Sequence, residues 1–496
     1  MIKRLFLLVL LVVLGLGVAV GINTVRTESR QLQVPAAQLT AVDAEAAAKR
    51  LAVAIPFKTI SSEQQANEND EEFFKLHAYL EKTFPKTHAA LQREVIGGKS
   101  LLYTWKGTDP KARPIALMAH MDVVPIASGT EKEWQAEPFG GEIKDGFIWG
   151  RGTWDNKGNL FSQMEAVESL VAAGFQPSRT VYLVMGHDEE VSGQRGARVI
   201  ADTLKQRGVQ LDYVLDEGLL ITDGIIPGLT QPAALIGLSE KGIGTYHLTV
   251  DGAPGHSSMP PRKSTIGMMS TALERLEDKQ MPAALQGIAA SMFETLAPEM
   301  SGINRVLLSN LWLFRPLVKM QLEKQPVTNA SLRTTTALTI VASGNKENVV
   351  PGHAEATVNF RLLPGDTLAD VERHVVQVID NDAIKVKPSP SNSEPSPVSP
   401  TDVMGYRALN RSIREVFKNT LVVPGLYIAA SDSRHFTQVS DAVYRFTPMQ
   451  ARAEDLSRFH GTNERLSIAA YGQMIQFYQQ LLKNSAGPPG PTTPGQ

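Results

Sequence analysis

The chain has 496 residues, of which 43% are hydrophobic and 20% charged, with a formal net charge of −2. That is enough apolar material for more than one core, and the near-neutral balance offers no basic surface for nucleic acid. Cysteine is absent, which excludes disulfides, zinc–thiolate sites and thiol nucleophiles and leaves His and carboxylate side chains to hold any metal.

Lys3 and Arg4 precede an uncharged apolar run over residues 5–22, which as a helix would be about 27 Å long, close to the thickness of a bilayer core. Residues 1–22 therefore read as a signal anchor or a signal peptide. Ala19-Val20-Gly21 is a weak cleavage site, and the run is long for a signal peptide, so the anchor is favoured. The leading positive charges keep the N-terminus cytoplasmic. The globular part then faces the periplasmic, extracellular or lumenal side, or is secreted if the segment is removed. Residues 23–41 are polar and without a period, and read as a tether.

Residues 42–240 alternate short apolar runs with helical patterns, the signature of an α/β domain with a largely parallel sheet. Strands are predicted at 115–119, 181–185 and 213–215. Between the first two, Leu160, Phe161, Met164, Val167, Leu170 and Val171 recur at helical spacing, and Gly174 stands where a glycine cap would. Residues 241–387 switch to strands at 246–250, 338–342 and 357–362 with helices at 265–276 and 368–379, which predicts an inserted α+β domain. Within it, residues 281–334 look like an enlargement. There Trp312, Leu313, Phe314, Leu317, Val318 and Met320 form an apolar helical segment, read first as core and alternatively as a greasy acyl-binding surface near a membrane. The stretch 388–484 returns to the first domain through a Pro/Ser-rich segment and a helix at 407–417, and 485–496 reads as a disordered Gly/Pro tail.

Five motifs carry chemistry, and most lie just after a predicted strand, at the edge where open α/β sheets bind ligands. In A-H-M-D-V-V-P, His120 and Asp122 project to the same side at strand period, so the carboxylate can orient the imidazole. In G-R-G-T-W-D-N-K-G, Asp155 either caps the following helix or sits on a backbone that Gly150 and Gly152 bend tightly around something. In G-H-D-E-E-V-S-G, Asp188, Glu189 and Glu190 repel one another unless a cation holds them. Asp216 and Glu217 of V-L-D-E-G should reach the same edge, and His460 of R-F-H-G-T-N-E-R adds a second imidazole. Each motif alone also fits a solvated loop, but together they offer the ligand chemistry of paired zinc ions.

In this order the motifs resemble the co-catalytic zinc amidohydrolases that include aminoacylase, glutamate carboxypeptidase and peptidase T. On G-H-D-E-E-V-S-G, L-D-E-G and G-H-S-S-M-P-P the chain is most similar to the carboxypeptidase S branch and its relatives acting on N-acyl amino acids. The resemblance implies a zinc-peptidase-like catalytic domain with an inserted ferredoxin-like lid or dimerisation domain, the latter making a homodimer contact. It implies two Zn2+ per subunit, with Co2+ or Mn2+ as substitutes. His120 would bind one ion, Asp155 both, and Glu190 with His460 the other. Asp216 or Glu217 would supply the last ligand, Asp122 would support His120, and Glu189 would be the general base. The resemblance further implies that His256 reaches the scissile carbonyl, that Asn348 and Arg361 face the substrate, and that Arg434 lies near its carboxylate.

The expected activity is hydrolysis of an amide bond in a peptide, carboxypeptidase-fashion, or in an N-acyl amino acid. Two alternatives stand beside it: a dipeptidase or aminoacylase of the same mechanism, and a non-catalytic metal-dependent binding protein. The latter would have no use for a base beside a ligand, as Glu189 stands beside Glu190.

Overall fold

The computed structural model describes residues 1–64 and 69–488. Its largest element is an eight-stranded sheet. In spatial order the strands are Gln92–Ile96, Ser100–Trp105, Val181–Gly186, Ile115–His120, Tyr213–Thr222, Val443–Ala451, Ala233–Glu240 and Leu421–Tyr427. The strand Ile115–His120 runs parallel to both its neighbours, and Val443–Ala451 is parallel to Tyr213–Thr222. Antiparallel pairings enter at the first edge. The expected α/β class is borne out, with a mixed sheet that is parallel at its centre.

Parallel strands must be covered on both faces. All six residues of Ile115–His120 are accordingly buried. One face packs on the helices Lys157–Ala172 and Ile468–Ala486 through Leu160, Phe161, Met164, Phe477, Tyr478 and Leu481. The other packs on the helix Ala197–Gln206, whose buried Ala197, Ile200, Ala201 and Leu204 form an apolar stripe at helical spacing. Helix Lys157–Ala172 is followed by Gly174 at φ +73°, a left-handed conformation that glycine adopts without strain.

A second, four-stranded antiparallel sheet orders Thr335–Ser343, His353–Leu362, Gly242–Asp251 and Ile384–Pro388. Helices Thr265–Asp278 and Leu368–Ile379 cover one face, burying Tyr246, Leu248, Phe360, Leu276, Val371 and Val375 in a core of their own.

Three readings of the sequence change here. Helices Gly287–Leu296, Gly302–Ser309 and Leu311–Leu322 do not enlarge the small domain. Ala289, Phe293 and Leu296 pack with Ala233, Leu421 and Val423, at the edge of the large sheet. Within Leu311–Leu322 only Leu311 and Val318 are buried, so Trp312, Leu313, Leu317 and Met320 are not core. The segment read as a tether is partly helical, since the N-terminal helix spans Ile2–Arg26, and partly pinned. Gln31 is buried, donating to Val422 O at 3.1 Å and accepting from Val422 N at 2.8 Å. At the other end helix Ile468–Ala486 takes in the first residues of the expected tail, whereas 489–496 lie outside the described residues.

Candidate metal centre

The carboxyl ends of the central strands place His120 at the end of Ile115–His120 and Glu189 and Glu190 just beyond Val181–Gly186. Asp155 precedes helix Lys157–Ala172 and stands between two imidazoles. Its Oδ1 is 2.9 Å from His120 Nε2 and its Oδ2 is 2.9 Å from His460 Nε2. Glu190 Oε2 lies 3.3 Å from His460 Nε2, and Glu217 Oε1 lies 3.2 Å from His120 Nε2. His120, Asp155 and Glu190 offer ligand atoms all within 4.8 Å of one another, and so do His120, Glu189 and Glu217.

The pair Asp216 and Glu217 divides. Glu217 turns to His120 and also takes a hydrogen bond from Asn156. Asp216 accepts the backbone N–H groups of Glu217 and Ser433, both at 2.9 Å, one on each carboxylate oxygen. Asp188 is not part of the cluster either, because its Oδ2 accepts from Arg195 N at 2.8 Å. Three carboxylates adjacent in sequence thus become two beside the histidines and one tied to a loop.

Asp122 acts differently from a carboxylate simply abutting an imidazole. His120 Nδ1 donates to the Asp122 carbonyl oxygen at 3.0 Å, with the carboxylate at 3.3 Å. The two carboxylate oxygens accept the N–H groups of Glu189 at 3.2 Å and Glu190 at 3.1 Å. One residue therefore fixes the ring of His120 and the backbone that carries both glutamates.

The bend at Gly150 and Gly152 encloses a residue that the motif reading overlooked. Glu464 is fully buried, and its Oε1 accepts from the N–H groups of Gly152 and Trp154 at 2.9 Å and of Asp155 at 3.1 Å. Arg151 Nη1 donates to its other oxygen at 2.5 Å. Gly152 adopts φ +91°, and a Cβ there would sit 2.8 Å from Val123 Cγ1. Asp155 does not cap the helix; Asn156 occupies that position. His460 itself adopts φ +56° and stacks on Phe459 with ring centroids 4.5 Å apart. Left-handed backbone at a non-glycine residue is a strain that clusters at functional sites.

The electrostatics call for a cation. Burial raises Glu189 and Glu190, and neighbouring carboxylates add to it. Burial likewise pushes Glu217 up to about 8, with Asp155 and Asp216 repelling its charge and His120 opposing the rise. Hydrogen bonds to Asp155 and Glu190 raise His460 to about 10. Burial works against a charged His120, yet Glu217, Asp122 and Asp155 outweigh it and hold the ring well above its ordinary value. The cluster thus favours positive charge among its carboxylates, whether carried by protons or by cations. Glu190 Oε1 is buried with no hydrogen-bond partner, and two imidazoles with four carboxylates suit a pair of divalent ions.

The sequence profile of peptidase family M20/M25/M40 matches residues 116–484. The chain belongs to that family. It is therefore a hydrolase of the metallopeptidase kind, and the resemblance read from the motifs is borne out. This M20 chain is 43% identical over 439 residues to the N-fatty-acyl-amino acid synthase/hydrolase PM20D1 of Xenopus tropicalis, covering 88% of this chain and 84% of that one. It is 39% identical over 482 residues to the probable carboxypeptidase S-like 2 of Dictyostelium discoideum, covering 95% and 92%. The M20 metallo-carboxypeptidase Sso-CP2 of Sulfolobus solfataricus shares the fold at a TM-score of 0.64 and 18% identity, over 88% of this chain and 98% of that one.

Four expected substrate residues lie outside the cluster. His256 is exposed on the short strand Gly255–His256, paired with Val349–Val350, and its Nδ1 bonds Ser258 Oγ at 2.8 Å. Asn348 is exposed beside it, its carbonyl accepting from Ser257 N at 3.0 Å. Arg361, on the small sheet, and Arg434, which donates to Ser192 O at 3.0 Å on the large-sheet side, come from separate elements. Burial lowers Arg361, and the charge of Arg434 lowers it further. Glu240 is the carboxylate opposing that effect.

Proposed function

We propose that this M20 chain hydrolyses the amide bond of N-acyl amino acids, with two Zn2+ ions held by His120, Asp155, Glu190, Glu217 and His460. The observation that carries the reading is Asp155 placed 2.9 Å from each of two imidazoles, with Glu189 close to His120 and Glu217. Bound divalent ions would polarise the scissile carbonyl and acidify a water toward neutrality. The Glu189 carboxylate takes the proton of the attacking water and delivers it to the leaving nitrogen. Asp122 holds the His120 ring and the Glu189 backbone in register. Arg361 and Arg434 pair with the free carboxylate of the substrate, which relieves their mutual repulsion. His256 and Asn348, carried on the inserted lid, reach the carbonyl when that domain closes or a second subunit supplies them.

The acyl reading is preferred because the relative named for N-fatty-acyl-amino acids shares 43% identity. Carboxypeptidase action on peptides is the second reading, supported by the relative named for carboxypeptidase S. A mass-spectrometric screen of dipeptides against N-acyl amino acids of rising chain length separates them. On the acyl reading kcat/KM falls with each carbon removed, by up to about 0.8 kcal/mol for each buried methylene; a flat series with good dipeptide turnover reverses the preference. Helix Ile2–Arg26, with mean hydropathy 3.1 over its best window and none of that window buried, supports an anchor that keeps the enzyme on the outer face of a membrane.

A further inference from the structure

We propose that helix Leu311–Leu322 is a second, interfacial membrane contact, which seats the body of the enzyme on the lipid surface beside its anchor. The inference rests on the anchor reading of helix Ile2–Arg26.

The first observation is how the anchor ends. The apolar run is exposed along its length, and contact with the body begins only at Val20, Asn23 and Thr24. Asn310, wholly buried, donates to Thr24 Oγ1 at 2.9 Å and to Val20 O at 3.4 Å, and its Oδ1 accepts from Asn23 Nδ2 at 3.2 Å. Beyond the helix, Ser29 bonds Glu299, Arg30 pairs with Glu294 at 3.2 Å, and Gln31 is buried against Val422 and Arg414. The body is thus clamped to the point where the span leaves the hydrocarbon. Asn310 is also the residue that opens helix Leu311–Leu322.

The second observation is the outer face of that helix. Leu311 and Val318 point inward, and Trp312, Leu313, Leu317 and Met320 are 57%, 37%, 47% and 51% exposed. At 100° per residue these four, with Pro316, make one continuous outward face, while Arg315 and Lys319 fall along its flank. Ile303 of the preceding helix adds to the patch at 67% exposed. An apolar face of this width edged by cations is the pattern of helices that lie in a bilayer interface. Trp312 is suited to that depth, because its only polar atom, Nε1, already donates to Asn310 Oδ1 at 3.1 Å. The same asparagine therefore ties the span, the interfacial helix and its tryptophan together, and a lipid bilayer is the occupant that continuity selects. For an enzyme taking acylated substrates, this face puts the body where acyl chains partition.

The absence of cysteine makes the test clean, since one introduced thiol carries the only label. Full-length protein bearing Leu317→Cys or Met320→Cys, or Lys106→Cys on the opposite edge of the large sheet, is labelled with an environment-sensitive fluorophore. Each is reconstituted into vesicles of phosphatidylcholine with or without bromine on the acyl chains. Co-flotation with the vesicles reads the anchor. The expected result is flotation of all three, with a blue shift and loss of emission in brominated lipid at positions 317 and 320 and neither at 106. Flotation with probes at 317 and 320 as water-exposed as that at 106 overturns the interfacial contact and leaves the anchor standing. Shielding at 317 that brominated lipid does not quench, and that persists in detergent, identifies a second copy of the chain as the occupant and also overturns it. Failure to float removes the anchor and the proposal with it. The triple variant Trp312→Ser/Leu313→Ser/Leu317→Ser adds a functional arm: turnover of a long-chain substrate embedded in vesicles should fall, and that of a short soluble one should stay unchanged.

Discussion

The Glu464 side chain accepts the backbone N–H of Asp155 at 3.1 Å through Oε1. The same carboxylate oxygen holds Gly152 and Trp154, so one buried anion shapes the loop from which Asp155 reaches two histidines. Its charge is balanced by Arg151, also buried. Glu464→Ala should therefore weaken metal binding by 10- to 100-fold, about the loss typical when a group orienting a ligand is removed. Breaking the buried pair should also lower stability by about 3–5 kcal/mol. Arg151→Ala breaks the same pair but leaves the three N–H bonds, so its metal affinity should suffer less. Titration of chelated protein with zinc, beside thermal melts, reads both effects. Equal affinity in Glu464→Ala and wild type would show that the loop holds its shape unaided.

This residue also marks the limit of what the sequence discloses. The strand ends could be placed because buried parallel strands are apolar runs, and the metal-facing side chains follow such runs at once, as His120 and Glu190 do. Glu464 stands in a polar loop four residues after His460, where a carboxylate facing water looks the same as one enclosed by a backbone. Only the glycines at 150 and 152 hinted that the loop closes on something; both prove to have positive φ, and the something is an internal anion. The segment around Trp312 failed for the opposite reason. An apolar stripe normally means core, and periodicity alone does not say whether the partner is protein or lipid.

Glu189 and Glu190 both hang from Asp122 through their N–H groups, yet only Glu190 is within 3.3 Å of His460. Glu189→Gln keeps shape and removes the basic carboxylate. It should retain zinc and substrate binding while kcat falls at least about 100-fold, the lower range for general-base catalysis. Glu190→Gln should lose part of its zinc, with activity restored by adding the metal. Metal content that drops in Glu189→Gln and holds in Glu190→Gln exchanges the two roles.

In the metal-free protein the side chains of the cluster should contribute less stability as pH rises, the reverse of an ordinary salt-bridged carboxylate. Burial raises Asp216 to about 6 and Glu217 to about 8, and hydrogen bonds to Asp155 and Glu190 raise His460 to about 10. All three folded values lie above their unfolded ones, so for these groups the folded state binds more protons and their contribution falls with pH, whereas buried Lys157 and Lys241, lowered to about 7, act in the opposite sense in loaded and metal-free protein alike. For His460 the contribution is complete below its unfolded value of about 6.5 and is lost as pH climbs to about 10. The two carboxyls act in the same direction at lower pH. Zinc replaces those protons, so apparent affinity should increase over the same interval and the loaded protein should lack the decline. Melts of chelated and loaded protein from pH 5 to 10 check this; parallel curves would mean that the cluster does not exchange protons for metal.

Asp216 and Glu217 offer the narrowest test, because the sequence leaves them equivalent and the fold does not. Glu217 lies 3.2 Å from His120 Nε2 and is steadied by Asn156, whereas Asp216 spends its oxygens on the N–H groups of Glu217 and Ser433. Glu217→Gln should therefore drop zinc content toward one ion per chain and abolish most activity, with little change in the melting of the metal-free protein. Asp216→Asn keeps only one acceptor oxygen for the N–H groups of Glu217 and Ser433, so one of those two bonds is lost, but it should retain both ions. Asp216 is crowded by Asp432, a buried carboxyl with no hydrogen-bond partner of its own, so neutralising Asp216 removes a repulsion that offsets part of the lost bond in the metal-free fold. Metal analysis of the two variants, purified alike, decides the matter. Loss of an ion in Asp216→Asn with both kept in Glu217→Gln would mean that the strand Tyr213–Thr222 turns its other residue to the metals, and that the contact between Glu217 and His120 belongs to the bare protein alone.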